Sequence, residues 1–128
     1  MRKITSCLIV LAAFLSVGCG GDTPESISKE IMANFGKLAD ILESVTDEAS
    51  AKAAVPKIEA VRASMREIAG RAKNVKTNPA TDKLLEDSMS KEMVGYQTRL
   101  GTAMGKIMTK PEVVKILEKA LEGMENDM

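Results

Sequence analysis

The chain has 128 residues, 18 of them basic and 18 acidic, and it contains no His, no Trp, two Cys and only 2% aromatic residues. That length holds one domain. The composition excludes a strongly basic nucleic-acid binder, a disordered acidic tail, and any chemistry that depends on histidine as general base or metal ligand.

The first element is a leader. Arg2 and Lys3 form a positive start, and Ile4 to Ser16 is an uncharged apolar stretch. A bilayer-spanning helix needs about 20 apolar residues, so this shorter run fits the core of a signal peptide. It runs into Leu15-Ser16-Val17-Gly18-Cys19-Gly20-Gly21. Here the chain resembles the bacterial lipoproteins, in which a small residue precedes a Cys that is lipidated on sulfur and becomes the new N-terminus. Gly18 and Cys19 match the two decisive positions, while the Leu of that motif stands one place early, as Leu15. Ordinary secretory cleavage after Ser16-Val17-Gly18 is the alternative, and it would leave Cys19 as a bare thiol in an oxidising compartment.

The resemblance implies a signal peptide over 1–18, a lipidated Cys19 opening a short tether over 19–23, and a folded part over 24–128. It also implies a diacylglycerol and an amide-linked acyl chain such as palmitate on Cys19, enough buried methylenes for a stable bilayer anchor. Gly20 takes the place of the Asp that resembles an inner-membrane retention signal, which favours the outer membrane. Four tether residues reach only about 13–15 Å, so the folded part sits close to the membrane surface. Loss of the leader removes Arg2, Lys3 and Cys7, leaving 16 basic against 18 acidic residues and a single Cys. No internal disulfide is then available, and attraction to anionic lipid or nucleic acid is weak.

Beyond the leader the apolar residues recur at intervals of three and four, which predicts helices throughout. Helix 1 runs from Pro24 to about Val45, with Ile27, Ile31, Phe35, Leu38 and Leu42 inward and Thr23 as N-cap. Helix 2 carries the most regular stripe: Ala51, Ala54, Ile58, Val61, Met65, Ile68, Ala72 and Val75. Pro56 either kinks it or marks its effective start, with Ser50 as a candidate cap. Asn78-Pro79 begins helix 3, whose inward stripe is Leu85, Met89, Met93, Tyr96, Leu100, Ala103 and Ile107. Thr109-Lys110-Pro111-Glu112 has the form of a capping box and opens a shorter helix 4 with Val113, Leu117, Ala120 and Met124. The expected fold is all-α: an antiparallel up-down-up bundle of three long helices, with the C-terminal helix closing an edge. The stretch Asp47–Ala60 resembles a segment of small, functionally uncharacterised bacterial lipoproteins; that resemblance implies a helical envelope protein and no activity.

Few residues suggest chemistry. Met89 with Met93, and Met104 with Met108, stand one turn apart, and thioethers suit Cu(I). Without His the bland alternative is stronger, namely unbranched side chains filling a core poor in aromatics. The pairs Asp40/Glu43, Asp47/Glu48 and Glu86/Asp87 read as solvated helix faces, with no spacing that builds a catalytic cleft. Arg62, Arg66 and Lys73 form a basic stripe broken by Glu59 and Glu67, read as a charged outer face with Glu67–Arg71 as an i, i+4 pair. Gly95, Gly101 and Gly105 each cost helix 3 about 1 kcal/mol relative to Ala. A tight crossing inside the bundle is the first explanation for them. Others are a contact face at Gly101 and Gly105 for a second copy or an envelope partner, and a break near Gly95. The sequence thus predicts a lipid-anchored structural or interaction module rather than an enzyme, with no cofactor and no nucleic acid. An apolar ligand between helices, or a soft metal on methionine, is the alternative.

Overall fold

The computed structural model describes residues 21–125. All regular structure among them is α-helical: α1 (Pro24–Glu43), α2 (Glu48–Ala72), α3 (Pro79–Met108) and α4 (Pro111–Glu125). At 1.5 Å per residue these are about 30, 37, 45 and 22 Å long. α3 is twice the length of α4.

Short polar side chains set the helix starts. The Thr23 hydroxyl accepts from the Ser26 backbone N–H at 3.1 Å, and the Ser26 hydroxyl accepts from the Thr23 N–H at 2.9 Å, a reciprocal capping box. Asp47 and Ser50 do the same for α2. α2 therefore begins at Glu48, Ser50 is its third helical residue and closes the box rather than capping the helix, and Pro56 lies inside the helix. The Asn78 side chain accepts from the Thr81 N–H at 2.9 Å ahead of α3. The junction before α4 departs from expectation. Thr109 is the C-cap of α3, and its hydroxyl donates to the Lys106 carbonyl. The Lys110 carbonyl instead accepts the first bonds of α4, from Val113 and Val114.

α1 packs along both α2 and α3; α4 packs chiefly on α2 and more lightly on α3. Around the bundle the order is therefore α1, α2, α4, α3, and neither diagonal pair forms an extended interface. α2 runs antiparallel to α1, since Arg71 near its end meets Asp22 and Glu30. α3 runs parallel to α1: Tyr96 lies against Gly36, and Arg99 meets Asp40 and Glu43. Both α1 partners need room, so α1 buries Met32, Asn34 and Ala39 beyond the expected stripe.

All four helices meet only at the end holding the α1–α2 and α3–α4 loops, here called the closed end. There Leu42, Val45, Ala51, Ile58, Ile107 and Leu117 form one core, in which Ile58, Val113 and Leu117 have no solvent exposure to speak of. The opposite, open end holds the chain entry at Asp22 and the α2–α3 loop. The fifteen residues of α4 reach back along α3 only to about the level of Val94. Leu85, Met89 and Met93, expected inward, lie beyond that level and are only half-buried; Tyr96 and Leu100, within it, are half-buried too, and Leu84 is 72% exposed. Their stripe is continuous; the helix opposite it is not.

Candidate functional site

The proposed lipidation site, Cys19, and the leader over 1–18 lie outside the described residues, which begin two positions later. The chain entering α1 is held firmly. Arg71, near the end of α2, donates from Nε to Asp22 at 3.0 Å and from Nη1 and Nη2 to the Glu30 carboxylate at 2.8 and 2.7 Å. A planar fork facing two carboxylates is the geometry guanidinium suits best. The Arg71 hydrogen bonds hold the Asp22 and Glu30 carboxyls below their usual range, and the carboxylates in turn raise Arg71. The expected Glu67–Arg71 pair thus gives way to a clasp that ties the incoming chain to α1 and α2 at the open end. Its members are about one-third to two-fifths exposed, so each ion pair contributes little alone. The consequence is geometric: the chain at Asp22 is fixed at one end of the bundle.

A second clasp joins α1 to α3. Arg99 donates from Nε to Glu43 at 2.9 Å and from Nη2 to Asp40 at 2.6 Å. The Asp40/Glu43 pair therefore serves packing, and Arg99 holds the Glu43 carboxyl below its ordinary value. At the closed end the Lys110 ammonium donates to the Thr46 carbonyl, joining the two loops.

The methionines are not brought to one point. Met89 and Met93 line a shallow depression on the upper half of α3, Met104 packs on the core, and Met108 is 71% exposed. Among the described residues no group of three or more His, Cys, Asp or Glu could hold a metal ion.

The glycines differ from expectation too. A Cβ on Gly95, Gly101 or Gly105 would meet nothing within 4 Å, so the tight crossing inside the bundle is not made there, and α3 runs through Gly95 unbroken. The close approaches are elsewhere. Tyr96 lies on Gly36, where a Cβ would stand 3.3 Å from the ring, and Arg62 lies across Gly123, where a Cβ would overlap its guanidinium. The only sequence signal for either was a glycine inside a helical pattern, beside a long side chain on another helix.

Two surfaces remain as interaction candidates. On α3, Val94, Thr98, Gly101, Gly105 and Met108 fall on one outward row at helical spacing, uncharged, with Val94 61% exposed. At the open end, beyond the tip of α4, an apolar groove of about 230 Å³ is lined by Ile31, Phe35, Met65, Ile68 and Met124, with Arg62 at its edge. No family model matches the chain, and neither a curated protein nor a solved structure matches it.

Proposed function

We propose that this chain is an exported lipoprotein, held on a membrane of the bacterial envelope through acylated Cys19, that acts as a structural or protein-interaction module. The observation that carries the reading is Gly18-Cys19 placed directly behind the apolar run Ile4–Ser16. The Arg71 clasp supports it, because a chain end fixed three residues after the anchor keeps the open end toward the bilayer. No helix among the described residues is long and apolar enough to cross a membrane, and in this reading the acyl chains supply the attachment. The absence of an Asp after Cys19 favours the outer membrane.

Within this reading the outward row around Gly101 and Gly105 is a contact face for an envelope partner or a second copy. Small residues there let another helix approach closely, and charges are absent from its centre. The alternative of a small apolar ligand has less support. The groove near Phe35 is smaller than the roughly 300–1,000 Å³ of pockets that enclose drug-sized ligands. Fractionation of cells expressing the wild type and Cys19→Ser tests the proposal. The wild type is expected in detergent-extractable membranes, and the variant in the soluble or unprocessed fraction. Wild type released by washing alone would contradict it.

A further inference from the structure

A depression of about 390 Å³ lies between α1 and α2, and one of the residues lining it is a buried polar side chain with an unmet hydrogen bond. Asn34 is 4% exposed. Its Nδ2 donates to the Glu30 carbonyl at 2.9 Å, which fixes the amide against its own helix. Its Oδ1 is buried and accepts no hydrogen bond among the described residues. A buried acceptor without a donor is costly, and an apolar side chain of similar size would fill the same place without that cost. Because α1 and α2 run antiparallel, Asn34 stands near Ser64 at one end of the depression. Ile41 stands near Lys57 at the other end, about 10 Å away.

The rest of the lining supplies charge and a second polar group. Lys37 and Lys57 are exposed at the rim, and neither is paired with a carboxylate among the described residues. The half-buried Ser64 hydroxyl has no partner among them either. Asp40, the one acid of the lining, is already held by Arg99 of α3 at 2.6 Å. We propose that this depression binds a small carboxylate carrying a secondary amide beside its acid group. The amide N–H donates to Asn34 Oδ1, the Ser64 hydroxyl donates to the amide carbonyl, and the carboxylate lies between the Lys37 and Lys57 ammonium groups. That is the chemistry of an N-acylated amino acid, free or as the last residue of a peptide. An anion without a donor would leave Asn34 unmet, and an alkyl chain would leave the lysines unmet as well. The volume falls within the roughly 300–1,000 Å³ of small-ligand sites. The proposal rests neither on the anchor at Cys19 nor on the contact face around Gly101, since neither contributes a residue to the depression.

The test is a chemical-shift titration of the purified, processed, nitrogen-15-labelled protein with four probes: N-acetylalanine, its uncharged amide, sulfate, and acetylated tri-alanine. Saturable shifts at Asn34 and Ser64 are expected with N-acetylalanine, at least tenfold tighter than with the amide or with sulfate. Tighter binding of tri-alanine would mark the source as a peptide end, and equal or weaker binding would mark it as a free acid. Lys37→Gln with Lys57→Gln, both at exposed positions, is expected to weaken binding at least tenfold with Tm unchanged. Asn34→Leu is expected to abolish binding and to raise Tm, since the orphaned acceptor goes with it; the lysine pair keeps the proposal testable if this variant unfolds. No saturable shift, binding of the amide or of sulfate as tight as that of the acid, or full binding by Asn34→Leu would each overturn the proposal.

Discussion

Leu117→Ala and Met93→Ala each delete three heavy atoms from a side chain, one at the closed end and one at the open end. Leu117 has no exposed surface and touches the core shared by α2, α3 and α4. At about 0.8 kcal/mol per buried methylene its truncation loses about 2.4 kcal/mol of transfer free energy. A cavity walled by three helices adds about 24 cal/mol for each Å³ that fails to collapse, so the total falls at about 3–5 kcal/mol. Met93 is half-buried and lines the shallow depression on α3. The loss there is about 1 kcal/mol or less, because little burial is given up and no closed cavity forms. For a domain of about 100 residues each kcal/mol moves Tm by about 4–8 °C, so the two variants should separate by about 10 °C or more. Urea unfolding followed by circular dichroism reads both changes, and unchanged m-values show that the comparison is between like states. Equal losses at the two positions would refute the division into a sealed four-helix end and an open three-helix end.

The remaining expectations come from single contacts. Gly101→Ala and Gly105→Ala, in open space inside a helix, should each stabilise by about 0.4–1 kcal/mol in thermal melts; destabilisation would mean that this row is already packed against something. At Gly123 a new Cβ meets only the guanidinium tip of the flexible Arg62 side chain, which can swing aside, so Gly123→Ala should not lower Tm; a clear loss of stability would show that Arg62 is held in place across the helix. Lowered carboxyl values at Asp22, Glu30 and Glu43 mean that the unfolded chain takes up protons first. The stability they contribute is complete above the unfolded carboxylate range near pH 4, and it is lost as pH falls through the lower folded values. Arg71→Gln should therefore show a smaller fall in Tm between pH 7 and pH 3 than wild type, and an unchanged fall would argue against the clasp. Pro56→Ala removes an interior helix proline and should stabilise by up to about 3 kcal/mol in urea unfolding; destabilisation would show that α2 needs the irregularity to fit its neighbours.

Helix number, type and order were legible because each start carries a local signal: Thr23-Pro24, Asn78-Pro79, and a three-four stripe that never breaks. α1 and α3 also begin where those dipeptides place them. The errors lie where local signals compete. Thr109 and Lys110 both stand between helices, and only the bonding of the Lys106 carbonyl shows that Thr109 closes one helix rather than opening the next. Long-range pairing left no trace in the sequence. Arg71 and Arg99 find carboxylates 41 to 59 positions away, while each also has nearer acids on its own helix. The half-exposure of Met89 and Met93 was equally hidden, since periodicity reports which face of α3 is apolar and says nothing of whether α4 is long enough to cover it. Of the candidate site, Cys19 lies outside the described residues, and the groove depends on where α4 ends.

Mass spectrometry of the N-terminal peptide released from membrane-extracted protein tests the central claim most directly. The account predicts a peptide that begins at Cys19 and carries the added mass of a diacylglyceryl group and an amide-linked acyl chain. A peptide beginning at Cys19 with an unmodified sulfur, or one that still includes Arg2 and Lys3, would contradict it.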